Sequence, residues 1–421
     1  MNRGGNPPTA PPPPPEDGEP LPAPSRSSQR GLDWFIFFLA DVQTGFGPFV
    51  AVYLTTQKWT QVEIGLVLSV SGLIALIGQM PGGALVDAAR SERLVAGIAL
   101  VAISVAALAY AAWPIFPVIL AAATLHAMAS CVLGPSIAAI SLGLVGRAAI
   151  GERLGRNARF ASLGNGIAAA AMGTAGYLLS SRSVFLVTVA LTIPTLIALV
   201  YIRPSEIDPE RAHGAVPRAK SDKSSTSIVS LLRKRPLLIF AGSVLLFQFA
   251  NAAMLPIMGG VLTTRSSNWA TVLIALCIVV PQLVVAVMSP WVGRKAQAWG
   301  RRPLLLIGFA ALPIRGLLFA TVGDPSLIVV VQVLDGITAA VLGVMMPLIV
   351  ADVTYGSGHF NLAQGVVGTA TGIGASLSTV LAGYVSDQFG SSVAFAGLAA
   401  VAALALSVVF ALMPETRQNN E

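Results

Sequence analysis

Charge is scarce in this chain: only 11% of its 421 residues are Asp, Glu, Lys or Arg, against 55% hydrophobic. A water-soluble protein that apolar could not cover its own surface, so lipid is the natural solvent for most of the sequence, and the mean hydropathy of +0.76 agrees. Cysteine is scarcer still. Cys131 and Cys277 both fall within apolar runs and read as small core residues. The three histidines are dispersed and join neither cysteine in a ligand pattern, so no metal and no cofactor is expected. No G-x-x-x-x-G-K-[ST] pattern occurs, which removes a built-in nucleotide motor, and nothing points to an enzyme. The first thirty residues carry no apolar stretch of the kind a cleavable signal needs. The net charge of +7 does not imply nucleic acid, because the basic residues sit in short loops between apolar runs, with no basic stripe.

What the chain has in abundance is apolar runs long enough to cross a bilayer as helix, about 20 residues each. Twelve are expected: 34–54, 62–82, 94–113, 115–144, 158–180, 184–202, 237–262, 270–291, 303–322, 326–352, 361–385 and 391–413. Backbone groups in lipid must be satisfied internally, so the fold class is an all-α membrane protein of twelve transmembrane helices. Residues 1–30, including PPTAPPPPPEDGEP, read as a disordered tail. Six spans are expected in 31–202, a polar, basic linker in 203–235, six more spans in 236–415 and a short tail in 416–421. Arg90, Arg93, Arg147, Arg153, Arg156, Arg159, the linker arginines, Arg294, Lys295, Arg301 and Arg302 all fall on one side of that arrangement. Lys58, Arg182 and Arg265 are alone on the other. The positive-inside rule then puts both termini in the cytoplasm of an inner membrane. All six tryptophans lie at or near span ends, as an interfacial belt requires.

The two groups of spans repeat one another. A shift of 210 residues superposes Asp41 on Asn251, Trp59 on Trp269 and Gly83 on Gly293. A shift of 209 superposes His126 on Asp335 and Val132-Leu133-Gly134 on Val341-Leu342-Gly343, and a shift of 207 superposes Ala175-Gly176-Tyr177 on Ala382-Gly383-Tyr384. A nearly constant offset over five spans describes two parallel, pseudo-symmetric six-helix bundles.

The loop after span 2, GGALVDAARSER (82–93), is similar to the G-x-L-x-D-R-x-G-R-R signature of the major facilitator superfamily, with Gly83 and Asp87 at its glycine and acid. Arg90 stands where the signature has its later glycine, Ser91 and Glu92 replace its basic pair, and Arg93 follows. The second-half counterpart, GRKAQAWGRRP (293–303), keeps Gly293, Gly300, Arg301 and Arg302 but has Gln297 for the acid. Over residues 31–415 the chain resembles that superfamily. The resemblance implies a carrier of a small-molecule substrate in which spans 1, 4, 7 and 10 line a central cavity. It also implies a gate at Gly83, Asp87, Arg93, Gly293 and Arg301, where Asp87 caps a neighbouring helix and pairs with an arginine.

A charge in mid-membrane is costly and needs a cavity or a partner. The ionisable residues well inside the spans are Asp41, His126, Arg315 and Asp335. Three of them, with Asn251, fall on spans 1, 4, 7 and 10, and Gln248 shares the Asn251 face. A carboxylate and an imidazole are the groups most easily poised to carry protons near neutral pH. Asp41 and His126 are therefore candidates for proton or substrate-cation contact, with helix-tying hydrogen bonds as the structural alternative. Arg315 and Asp335 lie at similar depth and are expected either as a static ion pair or with Asp335 meeting substrate. Gln282 and Gln332 read as interhelical glue. Spans 5 and 11 carry glycine-rich faces suited to sliding. Span 1 and span 7 lack the arginine that anion-binding members carry, which disfavours a multiply anionic substrate. The expectation is a monomeric, proton-coupled carrier of a neutral or cationic solute, with an uncoupled facilitator or a non-transporting membrane sensor as alternatives.

Overall fold

In the computed structural model, residues 24–44, 47–215, 233–265 and 270–417 are described. Ten helices among them are long and apolar enough to cross a membrane. Span 1 is built from α1 (Arg26–Thr44) and α2 (Gly47–Thr56), span 2 is α3 (Gln61–Ala88) and span 3 is α4 (Glu92–Ala112). Spans 4 and 5 form one run, α5 (Phe116–Leu178), turned at Gly146. Its φ of +66° is a left-handed conformation that suits glycine, so the chain reverses there without a loop. Span 6 is α6 (Ser183–Tyr201), and the linker begins with a 3₁₀ turn and the short α7 (Pro209–Ala212). Span 7 is α8 (Arg235–Asn251) with α9 (Met254–Arg265), span 8 is α10 (Ala270–Trp299) and span 9 is α11 (Arg301–Thr321). Span 10 joins α12 (Pro325–Val331) to α13 (Val333–Val353), and α14 (Phe360–Phe389) and α15 (Ser391–Leu412) are spans 11 and 12.

The helix starts follow from local chemistry. Thr60 and Glu63 form a reciprocal capping box at span 2, Ser91 caps span 3 and Asp324 caps span 10. The Glu415 carboxylate accepts the Arg301 and Arg302 amides at 2.8 and 3.0 Å, closing the start of span 9 from beyond span 12. Burial pushes the Glu415 carboxyl up, but the backbone N–H groups of Arg301, Arg417 and Arg302 hold it below the usual range.

Spans 7 and 10 are interrupted, near 252 and 332 respectively. At the break in span 7, which follows Asn251, the Ala253 amide donates to Ser378 Oγ of span 11 at 3.1 Å. Interrupted membrane helices survive where neighbours satisfy the freed backbone groups, and they tend to line cavities.

Each half has its own apolar core. In the first half Phe185 stacks on Tyr110 at 5.1 Å and meets Tyr53 edge-on at 4.9 Å. The second-half core runs on into Ala138, Leu142, Ile150 and Leu154 of spans 4 and 5, so the halves are packed together there.

Two expected boundaries shift. The tail was placed at 1–30, but helix begins at Arg26, because Ser25 anchors the start by giving its amide and hydroxyl to Glu206 at 2.9 and 3.0 Å. The linker was read as a polar divider over 203–235, yet its first part is seated against both halves, as detailed below. The tail before 24 and linker residues 216–232 lie outside the described residues.

Candidate substrate cavity and its closure

A cavity of about 560 Å³ lies between the halves, lined from spans 1, 2, 4 and 5 on one side and 8, 10 and 11 on the other. Its polar lining consists of carboxamides and a hydroxyl: Gln79, Asn157, Asn165, Gln282, Gln364 and Ser162. Among the described residues, no charged side chain lines it. Asn157, Ala161 and Asn165 recur every fourth residue on one face of span 5. Asn157 is fixed in place, accepting from Arg153 Nε at 2.7 Å and donating to Ser141 Oγ at 2.8 Å. The Gln364 amide nitrogen is buried with no hydrogen-bond partner. A pocket with these groups can hold a polar solute by hydrogen bonds, and its described lining offers no counter-charge to an ion.

Towards the end bearing the linker, the halves meet at backbone distance. A side chain at Gly83 would run into the Asn361 carbonyl, and one at Gly365 into the Gln79 carbonyl, so spans 2 and 11 cross in contact. Gly155 against Ser289 and Gly293 against Gly151 do the same for spans 5 and 8. Polar locks sit on this contact. The Asp87 carboxylate accepts the Asn361 amide at 3.1 Å, the Leu362 amide at 2.7 Å and the Asn361 side chain at 2.9 Å, capping span 11 across the halves. Arg147 reaches Asp352 at 3.1 Å from the other half and lies over the Tyr355 ring. Asp352 also holds Arg301 at 2.8 Å.

The linker seals the same end. The Asp208 amide donates to Gly143 O at 3.2 Å, and His213 Nε2 lies 2.9 Å from Glu92 Oε1, both on the first half. The Phe360 amide donates to His213 O and the Gly356 amide to Gly214 O, both from the second half. The Glu92 carboxylate raises the His213 imidazole above its ordinary value near 6.5, against the pull of burial. At the far end, Gly65 and Gly72 of span 2, Gly166 of span 5 and Gly383 of span 11 have open space where a Cβ would stand.

The candidate residues named from sequence are not gathered in one place. His126 Nε2 lies 3.1 Å from Gln43 O, and Gln43 donates to Ser130 O at 3.2 Å, so spans 1 and 4 are tied together at Gln43. The Asp41 side chain lies outside the described residues. Asn251 accepts from Arg315 Nη2 at 2.5 Å, and Arg315 Nη1 contacts Asp335, with Met254 Sδ on the same guanidinium. Arg315 and Asp335 thus form an ion pair inside the second half, joined by Asn251. Gln248 packs against Gly374 of span 11. None of His126, Gln248, Asn251 and Asp335 is among the cavity-lining residues. Of the arginines that sequence leaves open as partners of Asp87 (Arg90, Arg93 and Arg156), none pairs with it among the described residues. The Arg93 guanidinium reaches Val200 O at 3.5 Å within its own half, Arg156 holds Asp33, and backbone amides of span 11 take the Asp87 carboxylate.

Sequence reasoning missed a buried charge cluster and most of the cavity lining. Asp33 is held by Arg153 at 2.6 Å and by Arg156, both one turn apart on span 5. Asp33 and Arg153 are buried although they stand near expected span ends, where charges were read as loop residues. The spacing of Asn157 and Asn165 on one helix face, read with Gln79 and Gln364, was the available signal for the cavity.

A family model described as Major Facilitator Superfamily matches residues 34–312 and 246–421. The chain belongs to the major facilitator superfamily. This transporter is 39% identical over 393 residues to an uncharacterized MFS-type transporter of Mycobacterium tuberculosis, found in two strains, covering 92% of this chain and 93% of the relative. Among solved structures it is similar to the human organic anion transporter MFSD10, with a TM-score of 0.68 at 15% identity, over 91% of this chain and all of that one. It is also similar to a mutant of the nucleoside transporter NupG, with a TM-score of 0.63 at 17% identity, over 92% and 100%. At these identities the two structures speak for the fold alone.

Proposed function

We propose that this superfamily member is a secondary active transporter that moves a small, uncharged, hydrogen-bonding organic solute across the inner membrane by alternating access, coupled to protons. The observation that carries the reading is a cavity lined by both halves and shut at the linker end by backbone contact and cross-half locks, with the glycines of the same spans open at the far end. With the linker and termini in the cytoplasm, that arrangement is an outward-facing state. The carboxamide lining supports a neutral solute, because the described lining residues give a desolvated ion no counter-charge. Arg315 is occupied by Asp335 and Asn251, which leaves Asp41 and His126 as the proton-carrying candidates, on spans 1 and 4, which are tied at Gln43 and His126.

Reconstituted protein should take up neutral solutes in a pH-dependent way. Asp41→Asn should lower gradient-driven flux by about a hundredfold, the scale of a lost proton-carrying group. It should leave exchange across equal pH on both sides nearly intact. Full gradient-driven flux in Asp41→Asn would remove Asp41 from the coupling role.

A further inference from the structure

A second concave site lies outside the transport path, in the groove between spans 1 and 6 at the linker end. It encloses about 560 Å³. Its floor is Gly31, where a Cβ would stand 3.1 Å from Ala198 O, so the two helices touch there and the walls rise on either side. Along span 1, Arg26, Arg30, Trp34 and Phe38 line it at four-residue intervals, a rise of about 18 Å from the first arginine to the last ring. Span 6 contributes Ile197 and Tyr201 from the other wall. The order along the groove is two guanidiniums at the mouth, then an indole, then apolar surface.

Arg26 and Arg30 are exposed and form no salt bridge among the described residues. The nearby carboxylates among the described residues are already engaged. Asp33 is held by Arg153 and Arg156, and Glu206 takes the Ser25 amide and hydroxyl and lies 3.6 Å from Arg203. Trp34, Ile197 and Tyr201 leave 49%, 53% and 60% of their surface uncovered by protein. Two arginines with no carboxylate partner among the described residues, at the water end of an uncovered apolar groove, match one kind of molecule, with a phosphate at one end and a hydrocarbon chain at the other. The aromatic pair sits where glycerol and the upper chain would lie.

We infer that this groove is a binding site for an anionic phospholipid, its phosphate held by Arg26 and Arg30 and one acyl chain laid along Trp34, Phe38 and Ile197. The source is membrane lipid and not free phosphate. The site belongs to the outer surface of the first half and does not depend on which solute the cavity carries.

The test is native mass spectrometry on the full-length protein, released from bilayers of phosphatidylglycerol and phosphatidylcholine with identical chains. Retention should favour phosphatidylglycerol on the order of tenfold in the unaltered protein. The preference should vanish in Arg26→Gln/Arg30→Gln and survive in Arg26→Lys/Arg30→Lys, with unchanged melting in phosphatidylcholine showing that both variants fold. Phosphatidylglycerol brominated on its acyl chain should quench tryptophan fluorescence, and Trp34→Phe should remove that quenching component. Equal retention of the two lipids, an undiminished preference in the double glutamine variant, or displacement of the lipid by inorganic phosphate would each overturn the site.

Discussion

The two ends of the molecule are built by opposite rules. At the linker end, glycines bring helix backbones of the two halves into contact, and Asp87, Arg147 and Asp352 fasten them together. Further along the same spans, Gly65, Gly72, Gly166 and Gly383 meet nothing. The small residues are therefore not general lubricant. They are contact points where a backbone of the other half arrives, and on the function proposed above they act in one state of the transport cycle. The locks around them are modest in energy, as a structure that must open again requires. A charge-assisted cap or a partly exposed ion pair contributes about 1–3 kcal/mol, enough to set a population without freezing it.

The largest effect should come from filling a contact point. Gly155→Leu places a side chain into the Ser289 carbonyl, and overpacking of that kind costs about 3 kcal/mol. The linker end should then stay open, seen as rapid labelling of cysteines introduced there and a loss of flux of roughly a hundredfold. Gly65→Leu at the far end should change neither. Next, Asp87→Ala removes an acceptor shared by two backbone amides and a side chain, worth about 2 kcal/mol of the closed state. Single-molecule distance distributions should show the closed-to-open ratio falling about thirtyfold. Arg147→Gln should be milder, about 1 kcal/mol, because its side chain is 29% exposed. A double-mutant cycle with Asp352→Asn should return a coupling energy, whereas strict additivity would make the pair incidental.

The smallest expected effect is a pH dependence at the linker. Glu92 raises the His213 imidazole above 6.5, so its stabilising contribution is complete below that value and fades as pH rises through the raised one. Melting temperature should therefore gain a few degrees on acidification from pH 8 to about 6.5. His213→Gln should lose that gain, and an identical pH profile in both proteins would detach the linker histidine from the seal.

The sequence disclosed the fold more fully than the site, for physical reasons. Apolar runs, charge bias and a repeat of constant offset are each many residues long, so single irregularities do not erase them. Gly83 and Gly293 stood out through the signature and the repeat, and backbone contact is the physical reason a glycine stands there. The Arg315–Asp335 pair was one of two readings open in the sequence, because two mid-membrane charges at similar depth can neutralise each other or leave the acid for substrate. The cavity lining was not, since Asn and Gln in a membrane helix serve as interhelical glue as readily as substrate contacts. Asp33 escaped notice because a carboxylate beside a span end looks solvated until Arg153 and Arg156 of span 5 are seen to close over it. That Asp87 caps a helix was legible, but which helix was not, because backbone amides at the start of span 11 leave no trace in sequence.

The central claim is that the closed linker end and the open far end exchange. Spin labels at exposed Glu152 and Arg294, beside the Gly151–Gly293 contact, report the first, and labels at exposed Val62 and Phe389 report the second. Pulsed electron-spin distances in lipid should give a short, narrow first distribution with a long second one. Acidification or an added solute should then raise a minor population in which the two are reversed together. Distributions that stay fixed under every condition, or that change independently of each other, would contradict the account.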